Sequence, residues 1–320
     1  MKIQSKIPVG ARTLLIAVIM TASLAQASER TTLRVVADIA PVHSLISRVM
    51  DGIGQPDLLI QRGASPHHYA LRPSDAAALQ AADLVIYVGA GLTPWLEPRL
   101  GVLAKKAKFL ELAAMPDSIL RPYRHQDFFH EAEPIASTTE SGDHDHAHGT
   151  IDPHLWLDPE NARRWLDHIA GALSDLDPVH ADRYFHNAAE AKKEITEVVG
   201  EIEDQFAQLE NDAFIVFHDA YQYWEARFGF RVRGSILPAD ASTPSPKRLK
   251  KLRSLVEDGE VGCVLAEPQF DSDLIESVFD NQQVKVGLID PEGAHLAPGS
   301  MLYTRLLLGI AAEVKKCLEK

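Results

Sequence analysis

Apolar positions in the first third of the chain alternate between short β-branched runs and stretches with a helical period. Leu33 to Ile39 reads LRVVADI and predicts a strand, and from Pro41 to Met50 the apolar residues recur three and four positions apart, as on one face of a helix. Further strands are predicted at 57–61 and 83–88, with a helix capped by Ser74 between them. This order predicts a parallel sheet with helices on its faces.

The longest periodic segment runs from Pro178 to Leu209. Asp177 suits the N-cap and Pro178 the first turn, so we assign residues 177–211 to one helix. At 1.5 Å per residue a helix over the periodic segment spans about 48 Å. We interpret it as a rigid connector between two halves.

The second half repeats the pattern of the first. Apolar runs predict strands, and amphipathic stretches predict helices, the first of which Gly229 ends. The predicted strands are 213–217, 231–237, 261–266 and 284–289, and the predicted helices are 219–228, 246–258, 272–279 and 301–318. The fold class is therefore α/β, with mostly parallel sheets in an N-terminal domain (28–176) and a C-terminal domain (212–320), joined by the long helix.

Residues 121–150 interrupt this pattern with a polar stretch that has neither a helical nor a strand period. We expect a mobile loop here. It contains five histidines, three of them alternating in DHDHAH: His125, His130, His144, His146 and His148. Such tracts bind divalent cations loosely, and ordering a flexible segment lowers its affinity below that of a preformed site. An ordinary solvated loop is the alternative.

The first 27 residues have the organisation of a secretory signal peptide. Lys2, Lys6 and Arg12 precede an apolar run at 13–25, and Ala25-Gln26-Ala27 resembles a cleavage site. The apolar run is too short to favour a transmembrane anchor. We therefore expect export to the periplasm.

Charge and cysteines agree with export and with a cationic ligand. The formal charge is −13, and it becomes −16 once the three N-terminal cations are removed. An acidic surface argues against nucleic acid or an anionic membrane as partner and suits cations. In an exported protein, the pair Cys263 and Cys317 suggests a disulfide, with two buried thiols as the alternative.

Candidate metal ligands follow several predicted strands. His67 lies in the loop after strand 57–61, His218 follows 213–217, Asp290 ends 284–289, and His154 lies where order resumes after the polar stretch. In open α/β sheets, ligands bind beyond the carboxyl ends of strands. Three imidazoles with one carboxylate suit Zn²⁺, although any one of these histidines alone is more often structural.

Five ordered motifs make the chain resemble the ZnuA-type zinc-binding proteins of bacterial ABC importers. They are GASPHHYALRPSD, DPHLWLDP, FHDAYQYWE, AEPQF and GLIDPEG, and the acidic histidine-rich stretch lies between the first two. The resemblance covers nearly the whole chain after the signal peptide. It implies two α/β domains with the metal between them, and a disulfide between Cys263 and Cys317.

The resemblance also implies residue roles and partners. It carries the ligand role onto His67, His154 and His218, with Asp290 or water as the fourth ligand; Pro66 stands where some relatives have a glutamate ligand. His68 and Glu267 are then supporting residues. The implied partners are a membrane permease with its ATPase and a periplasmic zinc chaperone, and we expect a monomer.

Two other classes of function, an enzyme and a different kind of binding protein, fit the same residues. A zinc hydrolase with Glu267 as general base is one, but the sequence has no H-E-x-x-H motif, and four protein ligands leave no open position for water. A manganese importer component, an adhesin or a metallochaperone is the other. Manganese prefers oxygen ligands, and manganese binders of the family tend to carry a carboxylate at the position of His218, so the histidine favours zinc.

Overall fold

The structure is a computed structural model that describes residues 32–124, 151–207, 209, 213–280 and 282–319. The predicted signal peptide and the five histidines of the polar stretch lie outside the described residues. One unit spans Leu33–Lys320 and carries all the elements below. None of the described helices combines the length and hydropathy needed to cross a bilayer.

The N-terminal half contains a four-stranded parallel sheet in the order β2-β1-β3-β4. Alternate residues of β1 and β3 serve two different hydrophobic clusters, because helices cover both faces of the sheet. The strands are β1 (Val35–Ala37), β2 (Asp57–Leu58), β3 (Leu84–Tyr87) and β4 (Lys108–Glu111), and the helices are α1 (Ala40–Val49), α2 (Pro73–Ala81) and α3 (Glu97–Leu103).

The C-terminal half repeats this topology, with the strand order β6-β5-β7-β8 and all pairs parallel. In both halves the first strand therefore lies between the second and the third. That is the topological switch point at which open α/β sheets bind ligands. The elements are β5 (Ala213–His218), α6 (Gln222–Phe228), β6 (Arg231–Leu237), α7 (Pro246–Glu257), β7 (Cys263–Ala266), α8 (Asp273–Phe279) and β8 (Lys285–Leu288).

Three longer helices form the centre of the molecule: α4 (Pro159–Leu176), α5 (Ala181–Phe206) and α9 (Leu302–Leu318). The predicted long helix is present as α5, which has 26 residues. Its predicted start is wrong, because Asp177 and Pro178 begin a separate 3₁₀ turn, Pro178–His180, and the N-cap of α5 is His180. It packs against α4, α1 and α9 through a stripe of buried residues between Tyr184 and Ile202. The helix is thus an integral part of a core shared by both halves.

Buried polar contacts also join the two halves. The Trp156 indole N–H donates to the carbonyl of Pro291 at 2.7 Å, and the Tyr303 hydroxyl donates to the carbonyl of Trp156 at 2.7 Å. Ser44 accepts a hydrogen bond from the Tyr303 amide at 2.9 Å. These bonds link α1 and the segment after residue 151 to the C-terminal part of the chain.

Most predicted elements are present within a few residues of the predicted bounds, but neither α3 nor β4 was predicted. Both have weak patterns: α3 buries only Leu100, and β4 is half-exposed. The N-cap at Ser74 is wrong, because α2 begins at Pro73 and the Asp75 carboxylate accepts the Arg72 N–H at 2.8 Å. Helix α6 ends as predicted at Gly229, which has φ 75°.

The expected disulfide is present. Cys263 of β7 and Cys317 of α9 are bonded at a sequence separation of 54. Closing a loop of that size stabilises the fold by about 4 kcal/mol in the chain-entropy model. The bond fastens the last helix to the C-terminal sheet.

Candidate metal centre

Three buried imidazoles converge between the two sheets. His218 is the last residue of β5, His67 lies in the 3₁₀ turn Pro66–His68, and His154 directly precedes the 3₁₀ turn Leu155–Leu157. One ring nitrogen from each lies within 4.8 Å of the others. Such a group can hold a metal ion, and the structure brings together three of the four predicted ligands.

Carboxylates fix the tautomers of two of these rings. His154 Nδ1 lies 2.8 Å from Asp152 Oδ1, and His218 Nδ1 lies 2.8 Å from Glu267 Oε2. An N–H at Nδ1 donates to each carboxylate, which leaves Nε2 with a free lone pair. A histidine that ligates a metal typically has such a partner on its other nitrogen.

The two Nε2 atoms of His154 and His218 are 3.1 Å apart. Lone pairs that face each other at this distance repel unless a proton or a metal ion lies between them. A tetrahedral zinc with Zn–N bonds of 2.0–2.1 Å would separate its nitrogen ligands by about 3.3 Å. The observed spacing therefore needs only a small adjustment to hold zinc.

His67 completes the group, and its position is fixed in a different way. Its Nε2 is buried and has no hydrogen-bond partner among the described residues. Its ring centroid lies 5.4 Å from that of His154 and 6.0 Å from that of His218. The Trp95 indole donates to the carbonyl of Pro66 at 2.6 Å and so fastens the residue before His67.

The rings enclose a cavity of about 10 Å³, which is the room of one water-sized particle. Its walls combine nitrogen donors, carboxylates and aromatic rings: Ser65, Pro66, His67, His154, Trp156, His218, Glu267, Gln269, Phe270, Pro291 and Glu292. A space this small suits a dehydrated ion better than an organic ligand.

Burial and neighbouring charges divide the imidazoles into two classes. Burial, followed by the charges of the neighbouring histidines, lowers the pKa of His67 and of His154 well below the ordinary value. Burial would also lower the pKa of His218, but the charge of Glu267 and its hydrogen bond outweigh burial and raise that pKa. Two rings are thus held neutral and ready to ligate, whereas the third competes for a proton.

The fourth predicted ligand, Asp290, is not part of the close group. Its Oδ1 accepts hydrogen bonds from the Gln269 side chain at 2.9 Å and from the amides of Glu292 and Gly293. Glu292 lines the cavity instead and is 7% exposed. Burial and the charges of nearby carboxylates raise its pKa well above the ordinary value. The ligand role of Asp290 stays a prediction.

Some residues around the three histidines were predicted from the sequence, and others were not. Glu267 supports His218 as expected, and His68 is exposed with its ring centroid 6.4 Å from that of His67. Asp152 and Glu292 were missed. A carboxylate two positions before His154 was a local signal for Asp152, whereas nothing in the sequence separates Glu292 from Asp290.

Comparison with known proteins identifies the family of the chain. The family model for the periplasmic component A of the zinc-uptake complex, ZnuA, matches residues 35–317. The chain belongs to this family. The resemblance inferred from the five motifs is thereby confirmed.

Individual members of the ZnuA family cover most of the chain. The high-affinity zinc uptake system protein ZnuA of Paracoccus denitrificans (strain Pd 1222) is 38% identical over an alignment of 300 positions, which covers 89% of this chain and 91% of that protein. The protein of the same name from Brucella suis biovar 1 (strain 1330) is 34% identical over an alignment of 306 positions, which covers 89% of this chain and 92% of that protein. A crystal structure of ZnuA shares the fold, with a TM-score of 0.74 at 22% identity over 90% of this chain and 100% of that one.

Proposed function

We propose that the protein captures Zn²⁺ in the periplasm and delivers it to the membrane permease of an ABC-type zinc importer. The observation that carries this proposal is the convergence of three imidazoles, two of which have their Nδ1 atoms held by carboxylates. The names of the relatives, which are zinc uptake proteins, support the same cargo.

Zinc suits this donor set for two reasons. Imidazole nitrogen is a preferred zinc ligand, and a tetrahedral site needs only one more donor beside three rings. Mn²⁺ prefers oxygen ligands and higher coordination numbers, for which the small cavity has little room.

An oxygen atom completes the tetrahedron in our proposal. Asp290 is the candidate from the sequence and a water molecule is the alternative. Glu292 becomes a third candidate because it lines the cavity. Matched amide variants of the two carboxylates separate these possibilities, as described in the Discussion.

The ligand assignment is tested by replacing each histidine in turn. In competition with a strong chelator, His67→Ala, His154→Ala and His218→Ala should each lose tight zinc binding by more than about 100-fold, beyond the range of residues that only orient ligands. His168→Ala is the matched control, because His168 lies on the surface 2.7 Å from Asp117. Wild-type affinity in all three single variants would remove the proposed site.

We also propose that His125, His130, His144, His146 and His148 bind further zinc weakly. A chain lacking residues 125–148 should keep one tight zinc equivalent and lose the weaker ones in the same titration. Loss of the tight equivalent would mean that this segment supplies a primary ligand.

Delivery is tested in cells. A deletion strain should fail to grow under zinc chelation, and added zinc should rescue it where manganese should not. His218→Glu on a plasmid should complement poorly. Rescue by manganese alone would contradict zinc as the cargo, and zinc-dependent hydrolysis by the purified protein would favour the enzyme alternative.

Export and partners complete the proposal. We expect cleavage near Ala27, which intact mass of the periplasmic protein measures, and a monomer in solution. The permease with its ATPase and a periplasmic zinc chaperone are the proposed partners, and co-purification from crosslinked cells tests both.

A further inference from the structure

The segments 121–124 and 151–154 lie side by side next to the metal centre. Pro122 and Ile151 form an antiparallel bridge, and the Asp152 amide donates to the carbonyl of Arg121 at 2.9 Å. The second segment contains both His154 and the carboxylate of Asp152 that fixes its tautomer. Whatever holds this pair of segments therefore also sets the position of His154.

One hydroxyl group from the other half of the molecule holds both segments. Tyr223 of α6 is fully buried. Its hydroxyl accepts the Arg121 N–H at 2.9 Å and donates to the carbonyl of Asp152 at 3.0 Å. A single oxygen thus connects both segments to the C-terminal half.

One guanidinium makes a second connection between the same parts. Arg124 forms an ion pair with Asp219, which directly follows His218, and with Glu225 of α6 at 2.8 Å. All three side chains are largely buried. Such an ion pair fixes the relative position of its partners, because the guanidinium donates several hydrogen bonds in one plane.

We propose that the Tyr223 hydroxyl and the Arg124 guanidinium are positioning groups for metal binding, which hold His154 of one half against His218 of the other. Neither group contacts the metal; they act through Asp152 and Asp219. This inference rests on the proposed zinc site, and it adds residues that lie outside the cavity lining.

Electrostatics alone predicts the opposite effect for Arg124. A cation near the site repels Zn²⁺, so its removal would tighten binding if charge dominated. If the guanidinium acts by holding the two histidines in register, its removal weakens binding. The sign of the change therefore separates the two roles.

The central test compares Tyr223→Phe with Tyr184→Phe. Each variant removes one hydroxyl from a fully buried ring, but the Tyr184 hydroxyl donates to the carboxylate of Asp177, which precedes the 3₁₀ turn before α5. Tyr223→Phe should weaken zinc binding by roughly tenfold, the lower end for groups that orient ligands. The visible spectrum of the cobalt-loaded variant should also shift, since it reports ligand geometry. Tyr184→Phe should change neither.

Arg124→Gln and Arg124→Lys extend the test, with Arg48→Gln as control because Arg48 forms an ion pair with Glu194 between α1 and α5. Arg124→Gln should weaken zinc binding, and Arg124→Lys, which keeps the charge, should weaken it less. Melting of the metal-free proteins checks that each variant is folded.

Unchanged zinc affinity and cobalt spectrum in folded Tyr223→Phe would overturn the inference, as would tighter binding in Arg124→Gln. Either result leaves the zinc site intact if His154→Ala has lost binding. If His154→Ala instead keeps wild-type affinity, it is the proposed function that fails.

Discussion

The two halves of the molecule share one topology but build their parts of the metal centre differently. In the C-terminal half, His218 ends β5, and Glu267, which directly follows β7, accepts its N–H. The sheet itself therefore positions both residues. In the N-terminal half, the switch point holds the buried Asp38, whose oxygens accept hydrogen bonds from the backbone amides of Ile39 and Val88.

The predicted ligands of the N-terminal half lie at 3₁₀ turns beyond that sheet: His67 within one turn and His154 directly before the other. Separate contacts fasten each of these segments. Trp95 holds the turn of His67, and Asp152 holds the ring of His154. A ligand at a strand end is positioned by the neighbouring strand, whereas a ligand on a turn needs a contact of its own to position it, here called its brace. We therefore expect each N-terminal turn to depend on its own brace, in proportion to the strength of the bond that the brace makes.

Acid should have the largest effect on zinc binding. It should protonate the histidine of the C-terminal half before those of the N-terminal half. As the pH falls, His218 gains a proton first because its pKa is raised, whereas His67 and His154 stay neutral until the pH is well below about 6.5. Zinc affinity, measured by chelator competition, should begin to fall above about pH 6.5 and should fall further as the other two rings gain protons at lower pH.

Glu267→Gln should move the first part of this decline to lower pH, because the charge that raises the pKa of His218 is gone. An occupancy that stays flat from about pH 7.5 to 4.5 contradicts a site of three imidazoles.

Replacing the carboxylates that orient His154 and His218 should have the second-largest effect on zinc affinity. Asp152→Asn and Glu267→Gln should each weaken zinc binding by roughly 10–100-fold, since an amide can present its N–H to Nδ1 and favour the wrong tautomer. Asp117→Asn is the control, because Asp117 pairs with the surface residue His168. Equal, small effects of all three variants would show that the carboxylates do not orient the ligands.

The carboxylates of the segment after β8 should give a smaller effect and identify the fourth ligand. Glu292→Gln should weaken binding by roughly tenfold if this residue completes the site, and Asp290→Asn should do so if Asp290 does. The cavity lining favours Glu292 in this comparison. If neither variant differs from the wild type, water is the fourth ligand.

The smallest effect should come from the brace on His67. Trp95→Phe keeps the aromatic ring beside Tyr69 but removes the bond to the Pro66 carbonyl. A single neutral hydrogen bond contributes about 0.5–1.5 kcal/mol, so zinc affinity should fall by only roughly 2–10-fold. An equal loss in Trp165→Phe, whose N–H bonds Ser118 away from the cavity, would point to a general loss of packing.

The same contrast explains how much the sequence could predict. A β-branched run that ends in a histidine places His218 at a strand end, and the repeated strand–helix order predicts both sheets. The sequence identified His67 and His154 as candidate ligands, but it did not predict the contacts that position them. The bond from Trp95 to Pro66 and the connections of Tyr223 join segments far apart in the chain, and no local pattern encodes such pairs.

The missed elements have a similar cause. Helix α3 and strand β4 bury little apolar surface, so their periodicity is weak. The disulfide was predictable because export and an even cysteine count leave one pairing. Its removal should lower stability and leave zinc affinity unchanged, because neither cysteine lies in the cavity lining.

The central claim is that one zinc ion binds between the halves through three Nε2 atoms. Anomalous diffraction at the zinc edge, from crystals grown with one equivalent of zinc, tests it directly. We predict a single strong peak bonded to His67, His154 and His218 at about 2.0–2.1 Å, with one oxygen as the fourth ligand. A peak elsewhere, or a zinc bound by fewer than three of these rings, would contradict the account.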